Sequence, residues 1–528
     1  MSLATRAGPY PSGPSINKWA ALGDSLAAGP GAGVPCDSDT VCKRYSEAYP
    51  LALSMDQCMP GHDDPTRKPN FIACSGAVIQ DVLTKQVPNV QQDTDMVTLS
   101  IGGNDLGIEA ILDGCIFQFS GSSSPICTES IAAAKTAISS AQFEIDWTNL
   151  INAILGKLSI SVSNAIFVAG YTNFFSEDLS SQCESISFSY SPSNQPELTR
   201  LLREQLNELL QTLNWYLHYY ITQSNKRLGA NKVVFVDYNE NYNGHRFCRP
   251  TVTEPDRNNP DTWFLNLDSA AQPTDQVAQN FRPTPSGHAG IKDAVLERLL
   301  GLPALDGLNL RILPLGDSIT YGFQSSDGNG YRQYLLTLLA GNNVNFIGSV
   351  QAGTMTNNNN EGHSGAIIDQ IASYAYLSLP ERPNVVLLMA GTNDMNNDVD
   401  PDNAAARLGA LIDEIFAACP DTVVIVAQII PAANPDTFAR LVTYNARISL
   451  LVNQQQTAGK HVIKAWMPLT TDDLIDGLHP TDMGYSKMAD GWLDALVRAN
   501  AKGWIGQPVV VNNTGKQPVG FLSTSDGS

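Results

Sequence analysis

Short apolar runs rich in β-branched residues alternate with longer stretches of helical periodicity along most of this chain. In its second half the apolar runs fall at residues 311–315, 344–347, 385–389, 423–429 and 461–466, and this spacing predicts strands there. Helices are predicted over 404–418 and 436–455. The first half reads alike, with strands at 97–101, 165–169 and 233–236. It also has one long helix over 196–227, whose Leu201, Leu206, Leu209 and Leu213 mark a single apolar face. Apolar strands separated by helices imply parallel sheets covered on both faces, so the expected class is α/β.

The pattern also repeats. Trp19-Ala20-Ala21-Leu22-Gly23-Asp24-Ser25 returns as Ile312-Leu313-Pro314-Leu315-Gly316-Asp317-Ser318, and Ile101-Gly102-Gly103-Asn104-Asp105 returns as Ala390-Gly391-Thr392-Asn393-Asp394. Ser25 lies 79 residues before Asn104, and Ser318 lies 75 before Asn393. Two motifs recurring in order at nearly constant spacing mean a duplicated domain. The Gly/Pro-containing stretch 301–307 follows a helical run at 288–300 and precedes a strand, which divides the chain into domains 1–302 and 308–505 joined by a linker at 303–307. So short a linker predicts packed domains. The polar, Gly-rich stretch 506–528 reads as a frayed tail.

Composition narrows the chemistry. The 528 residues carry a formal charge of −20 with a pI near 4.6, a field that repels a phosphate backbone and argues against nucleic acid as a partner. No apolar run approaches the roughly 18 residues that a membrane span needs. The first six residues lack the apolar core of a signal peptide, which leaves a mature-length or a cytosolic chain. The cysteines favour the former. Eight of nine lie in the first domain, an even set that suggests disulfides and hence secretion. Eight cysteines allow 105 pairings. Sequential pairing closes the shortest loops and is the expectation: Cys36–Cys42, Cys58–Cys74, Cys115–Cys127 and Cys183–Cys248. The chain has no CxxC and no His at ligand spacing from a Cys pair, so no metal is expected. Cys419 reads as a small buried hydrophobe.

Each Gly-Asp-Ser ends a predicted strand, and ligands of an open parallel sheet collect beyond the carboxyl ends of its strands. A serine hydroxyl needs a base with an orienting partner before it attacks a carbonyl. The second domain supplies both in Asp476-Gly477-Leu478-His479-Pro480, where the Asp476 carboxylate can hold the His479 ring. Ser318 is then the nucleophile. The backbone N–H groups of Ser318 and Gly365 and the Asn393 amide are candidate oxyanion donors. Asp24 and Asp317 read as loop-holding groups, and His363 as a loop histidine or a substrate contact. The run Asn357–Asn360 reads as a surface loop near the cleft mouth.

These residues carry a resemblance. Gly316-Asp317-Ser318, Gly365, Gly391-Thr392-Asn393-Asp394 and Asp476 to His479 resemble the four conserved blocks of the SGNH (GDSL) hydrolases. From about residue 310 to 505 the second domain is similar to the acetylxylan esterases of carbohydrate esterase family three. The resemblance implies a three-layer α/β/α fold in each domain, no metal or other cofactor, and deacetylation of plant cell-wall polysaccharide. The first domain resembles secreted GDSL esterases and lipases through Gly23-Asp24-Ser25, Ala73-Cys74-Ser75-Gly76 and Gly102-Gly103-Asn104-Asp105, but its last block departs. Where that family has its base, this chain has Arg282, in Phe281-Arg282-Pro283-Thr284. A guanidinium stays protonated and cannot accept the Ser25 proton, and losing a triad base costs about 10⁶ in kcat. His288, six residues on, falls in the predicted helix. The reading is a secreted serine esterase acting on acetyl or short-acyl esters such as acetylxylan, with a degenerate first-domain site at Ser25, Gly76, Asn104 and Arg282. Two other readings stay open: a broad-specificity lipase with both domains active, and a first domain that binds glycan or lipid without catalysis.

Overall fold

The computed structural model describes residues 16–511 except 37–40, 63, 65–68, 121–122, 124, 160–165, 178–180, 251, 257–258, 266–280 and 303. Two sheets organise it. The first consists of β1 (Trp19–Gly23), β2 (Asn70–Phe71), β3 (Met96–Ser100), β4 (Ile166–Ala169) and β5 (Val233–Val236), all parallel, in the order β2-β1-β3-β4-β5. Every residue of β1 and β3 is buried, as expected for strands covered on both faces.

The second sheet repeats that order. Its strands are β6 (Asn309–Gly316), β7 (Asn343–Phe346), β8 (Val350–Gln351), β9 (Asn359–Gly362), β10 (Val385–Met389), β11 (Val423–Ala427) and β12 (Val462–Ala465), arranged β12-β11-β10-β6-β9-β8. One edge of β6 is shared. Asn309–Ile312 pair with β7, while Leu315 and Gly316 pair with Glu361 and Gly362 of β9. This edge corrects two expectations. The β8–β9 pair is antiparallel, so the sheet is not wholly parallel. The asparagine run is not wholly a loop, because Asn359 and Asn360 open β9 and Asn360 is fully buried. The Asn360 side-chain amide donates to the carbonyl oxygens of Val350 and Asn358, which satisfies it in its buried position.

The disulfides also differ from sequential pairing. Cys115–Cys127 and Cys183–Cys248 form as expected, but Cys42 joins Cys74, so neither Cys36–Cys42 nor Cys58–Cys74 exists. The cause is local: the Ser75 N–H donates to the Cys42 carbonyl, which brings that loop onto the segment after β2. Cys58 lies instead beside Asp56, whose carboxylate accepts the Cys58 N–H and pairs with Lys292. Cys419 is buried, its thiol donating to the Leu379 carbonyl.

The domains pack through matching elements. Helix Arg200–Leu228, which leads into β5, lies antiparallel to helix Pro435–Thr457, which leads into β12: Arg447 pairs with Glu208, and Phe438 meets Trp215 and Tyr219 further along. The His218 ring is stacked between Phe235 of β5 and Trp466, the residue after β12. Lys464–Asp237 and Arg298–Asp494 add ion pairs. Residues 209–217 are therefore buried without interruption, whereas the sequence shows only one apolar face. The second domain covers the other side. Leu201, assigned to that face, is exposed. The stretch after residue 505 is held rather than frayed as far as it is described, with Arg311 donating to the Val509 carbonyl and Asn384 to that of Gly506. Residues 512–528 lie outside the described residues.

The 32-residue separation of Cys42 and Cys74 sets a testable magnitude. By loop-closure entropy, the double variant Cys42→Ala/Cys74→Ala should lose about 3–4 kcal/mol in urea unfolding of the first domain. A non-reducing peptide map should contain the Cys42–Cys74 cross-link; recovery of Cys36–Cys42 would contradict the fold described.

Candidate active site

The nucleophile loop begins where β6 ends. Gly316 pairs with Met389 of β10 on one side and Gly362 of β9 on the other, and a Cβ at Gly316 would collide with the Met389 carbonyl. The chain then turns into the short helix Ser318–Tyr321, whose N-cap is Asp317, accepting from the Ile319 N–H at 3.0 Å. Asp317 is fully buried, and burial pushes its carboxyl up to about 6.

The candidate base, His479, comes from the other end of the domain. Pro480 forms an antiparallel bridge with Leu474, and Thr481 caps helix Asp482–Ala501 by accepting from the Gly484 N–H. This anchors the residue before Pro480. His479 Nε2 lies 2.9 Å from Ser318 Oγ, and its Nδ1 lies 2.7 Å from Asp476 Oδ2. The other Asp476 oxygen accepts the backbone N–H groups of His479 and Leu478 at 2.7 and 3.0 Å. Burial pushes the Asp476 carboxyl up, but these hydrogen bonds outweigh it and hold it below the usual carboxylate range. An ionised Asp476 fixes the proton on Nδ1 and leaves Nε2 to accept from Ser318.

In the turn after β9, Gly365 adopts φ +79° with no atom within 4 Å of where a Cβ would stand. Asn393 donates one amide hydrogen to the Ala366 carbonyl at 2.9 Å, which leaves the other for the cleft. Asp394, the next residue, accepts from the Ile368 N–H and pairs with Arg407, tying this loop to the Gly365 turn. The structure thus joins Ser318, His479 and Asp476 through side-chain contacts and ties Asn393 to the turn that carries Gly365.

Two neighbours escaped the sequence reading. Glu361 is fully buried at the end of β9 and accepts from Ser349 N–H and hydroxyl, from the Ser378 hydroxyl and from His363 Nε2. His363, stacked on Tyr374, is thereby a satisfied loop histidine. Its one mark in the sequence is a glutamate two residues before a histidine. Phe323 meets the His479 ring edge-on at 4.8 Å; nothing in its spacing marks it.

The first domain keeps the frame and changes the chemistry. Asp24 caps the short helix Ser25–Ala28, and Asn104 donates to the Ala77 carbonyl as Asn393 does to Ala366. Pro283 bridges to Phe264, and Thr284 caps helix Pro285–Leu300 by accepting from Gly287, so Arg282 occupies the position of His479. Its guanidinium meets Glu109 at 3.4 Å and acts on the buried Asp24, opposing the rise that burial imposes on that carboxyl. Ser25 Oγ has no hydrogen-bond partner among the described residues. His288 offers none: it is wholly buried, its Nδ1 accepts the Tyr49 N–H, and burial pushes it down to about 3.

Comparison with known proteins agrees with this duplication. The model described as GDSL-like Lipase/Acylhydrolase matches residues 20–295, and a second, the GDSL-like Lipase/Acylhydrolase family, matches residues 315–487. The chain belongs to the GDSL-like lipase/acylhydrolase family. Among its relatives, Lipase 1 of Streptomyces coelicolor is 26% identical over 273 residues, covering 52% of this chain and 82% of that protein. The Multidomain esterase of Ruminococcus flavefaciens is 29% identical over 223 residues, 35% of this chain and only 28% of that one. A solved Clostridium thermocellum family 3 carbohydrate esterase is 33% identical, covering 38% of this chain and all of the other, with a TM-score of 0.34. This GDSL-type protein is a carboxylic ester hydrolase.

Asp317 gives a pH test. Because its folded pKa lies above its unfolded value, the stability it contributes is present below about pH 4 and is lost as pH rises through about 6. The variant Asp317→Asn keeps a capping oxygen and removes that penalty. Its stability relative to the parent should rise between pH 4 and 6 and level off about 2–3 kcal/mol higher, measured by urea unfolding. A flat difference across that range would contradict the burial argument.

Proposed function

We propose that the second domain is a serine esterase for acetyl or short-acyl esters of plant cell-wall polysaccharide such as acetylxylan, and that the protein is secreted. The observation that carries the catalytic assignment is the chain of contacts from Ser318 Oγ through His479 to Asp476, at 2.9 and 2.7 Å. His479 takes the Ser318 proton as Oγ attacks the ester carbonyl. The negative charge that develops on the carbonyl oxygen is met by the N–H groups of Ser318 and Gly365 and by the Asn393 amide. His479 then protonates the leaving alcohol, and water, activated by the same ring, releases the acid from Ser318. The first domain, with Arg282 at the base position, takes no part in turnover. Secretion rests on the three disulfides. The acetylated-polysaccharide substrate rests on the second domain's similarity to the family 3 carbohydrate esterase.

A second reading has its own support. Phe323, Ile475 and Met483 are exposed apolar side chains close to the triad, in contact with His479, beside Asp476 and on the first turn after the base loop. Such a rim suits a longer acyl chain. An acyl-length series of p-nitrophenyl esters separates the two: a maximum at acetate supports the deacetylase, and a maximum at octanoate or beyond supports a lipase.

A fluorophosphonate probe should label Ser318 and leave Ser25 unmodified, as read by peptide mass spectrometry. Label on neither serine, in folded protein, would sink the esterase assignment. Ser318→Ala and His479→Ala should each lower kcat by about 10⁶. Asn393→Ala should lower it by about 10²–10³ with little change in KM.

A further inference from the structure

We propose that the first-domain cleft is a binding site for a carboxylate, held by the old oxyanion donors and by Arg282; this rests on the reading of that domain as non-catalytic. In the second domain the space bounded by Ser318, Gly365, Asn393 and His479 is where an ester carboxyl sits. The first domain preserves three of those walls. Gly76 has φ +81° and open space where a Cβ would stand, like Gly365. Asn104 spends one amide hydrogen on Ala77 and keeps one, like Asn393. Ser25 is 1% exposed, and its hydroxyl meets no hydrogen-bond partner among the described residues, which is costly for a buried polar group.

The fourth wall is what changed. An imidazole, as at His479, can accept a proton, whereas a permanent cation at Arg282 suits an anion. The two groups stand at the same place in the frame, each followed by a bridged proline and a capping threonine. One carboxylate oxygen can therefore meet the Gly76 and Asn104 donors while the other faces the guanidinium. Glu109 shows that Arg282 accepts a carboxylate there. Their contact is loose, at 3.4 Å with Glu109 mostly exposed. The ligand is the anion of an acid, from an aliphatic chain or from a uronic acid of a polysaccharide, and no bond is made or broken.

The test uses the full chain with Ser318 first blocked by a fluorophosphonate, so that the second cleft cannot bind. Calorimetric titration with sodium acetate, sodium octanoate and sodium glucuronate should show saturable one-to-one binding of at least one of them. The methyl ester of the acid that binds should not. Arg282→Gln should weaken binding at least tenfold while unblocked protein keeps its esterase rate, which also shows that the variant is folded. Glu109→Gln removes the competing carboxylate and should tighten binding severalfold. Preference for octanoate or for glucuronate identifies the source, and equal binding means that the carboxylate alone is read. Absence of saturable binding by all three, or equal affinity in Arg282→Gln, overturns the proposal. Fluorophosphonate on Ser25 would instead overturn the non-catalytic reading beneath it.

Discussion

The end of β6 is held on both sides at once, by Met389 of β10 and by Gly362 of β9, with the His363 N–H donating to the Gly316 carbonyl just beyond. Backbone so confined has no room for a Cβ at Gly316, and it must leave the sheet at that point. The nucleophile loop, the Gly365 turn and the Asn393 loop all start from these three adjacent strand ends. Their relative positions are therefore set by ladder hydrogen bonds rather than by side chains. The base alone arrives from elsewhere, and it too is fixed by backbone devices, the Pro480 bridge and the Thr481 cap.

That division of labour explains how the first domain could exchange its chemistry and keep its shape. Its strand ends carry the same pairing, Gly23 with Ser100, and its last helix has the same proline and threonine at its start. None of these contacts involves the side chain at position 282. Replacing an imidazole by a guanidinium there removes a proton acceptor without disturbing a cap, a ladder or the core. Glu109 supplies the new cation with a counter-charge, as Asp476 does for the imidazole. The frame is indifferent to which reaction, if any, it serves.

Central features were legible in the sequence because a buried strand has few alternatives. The strands at 385–389 and 233–236 have the bounds that their apolar runs define, and the helix at 404–418 does so too. The candidate triad was legible because acyl transfer demands a hydroxyl, an imidazole and a carboxylate, and an Asp three residues before a His supplies the last two together. What stayed hidden depends on partners far along the chain. The edge strand β9 is made of Asn-Asn-Glu-Gly, a composition that reads as loop and becomes a strand only against β6. The Cys42–Cys74 link follows from a contact between loops, which shortest-loop reasoning ignores. Glu361 reads as an ordinary acidic residue until four donors are seen to converge on it.

The interface was hidden for the same reason, and it repeats the logic of the fold at a larger scale. Asn214 in the first domain bonds both the N–H and the carbonyl of Tyr171; Asn445 does the same to Ile429 in the second. Asn225 and Gln456 likewise donate to the first residues of β5 and β12. The two helices that meet are thus the same element of the duplicated fold, each presenting to the other the side that does not cover its own sheet. Antiparallel packing of equivalent elements is the geometry of a two-fold dimer, here within one chain. The interface therefore depends on this helix in both domains, whatever residue stands at positions 282 and 479.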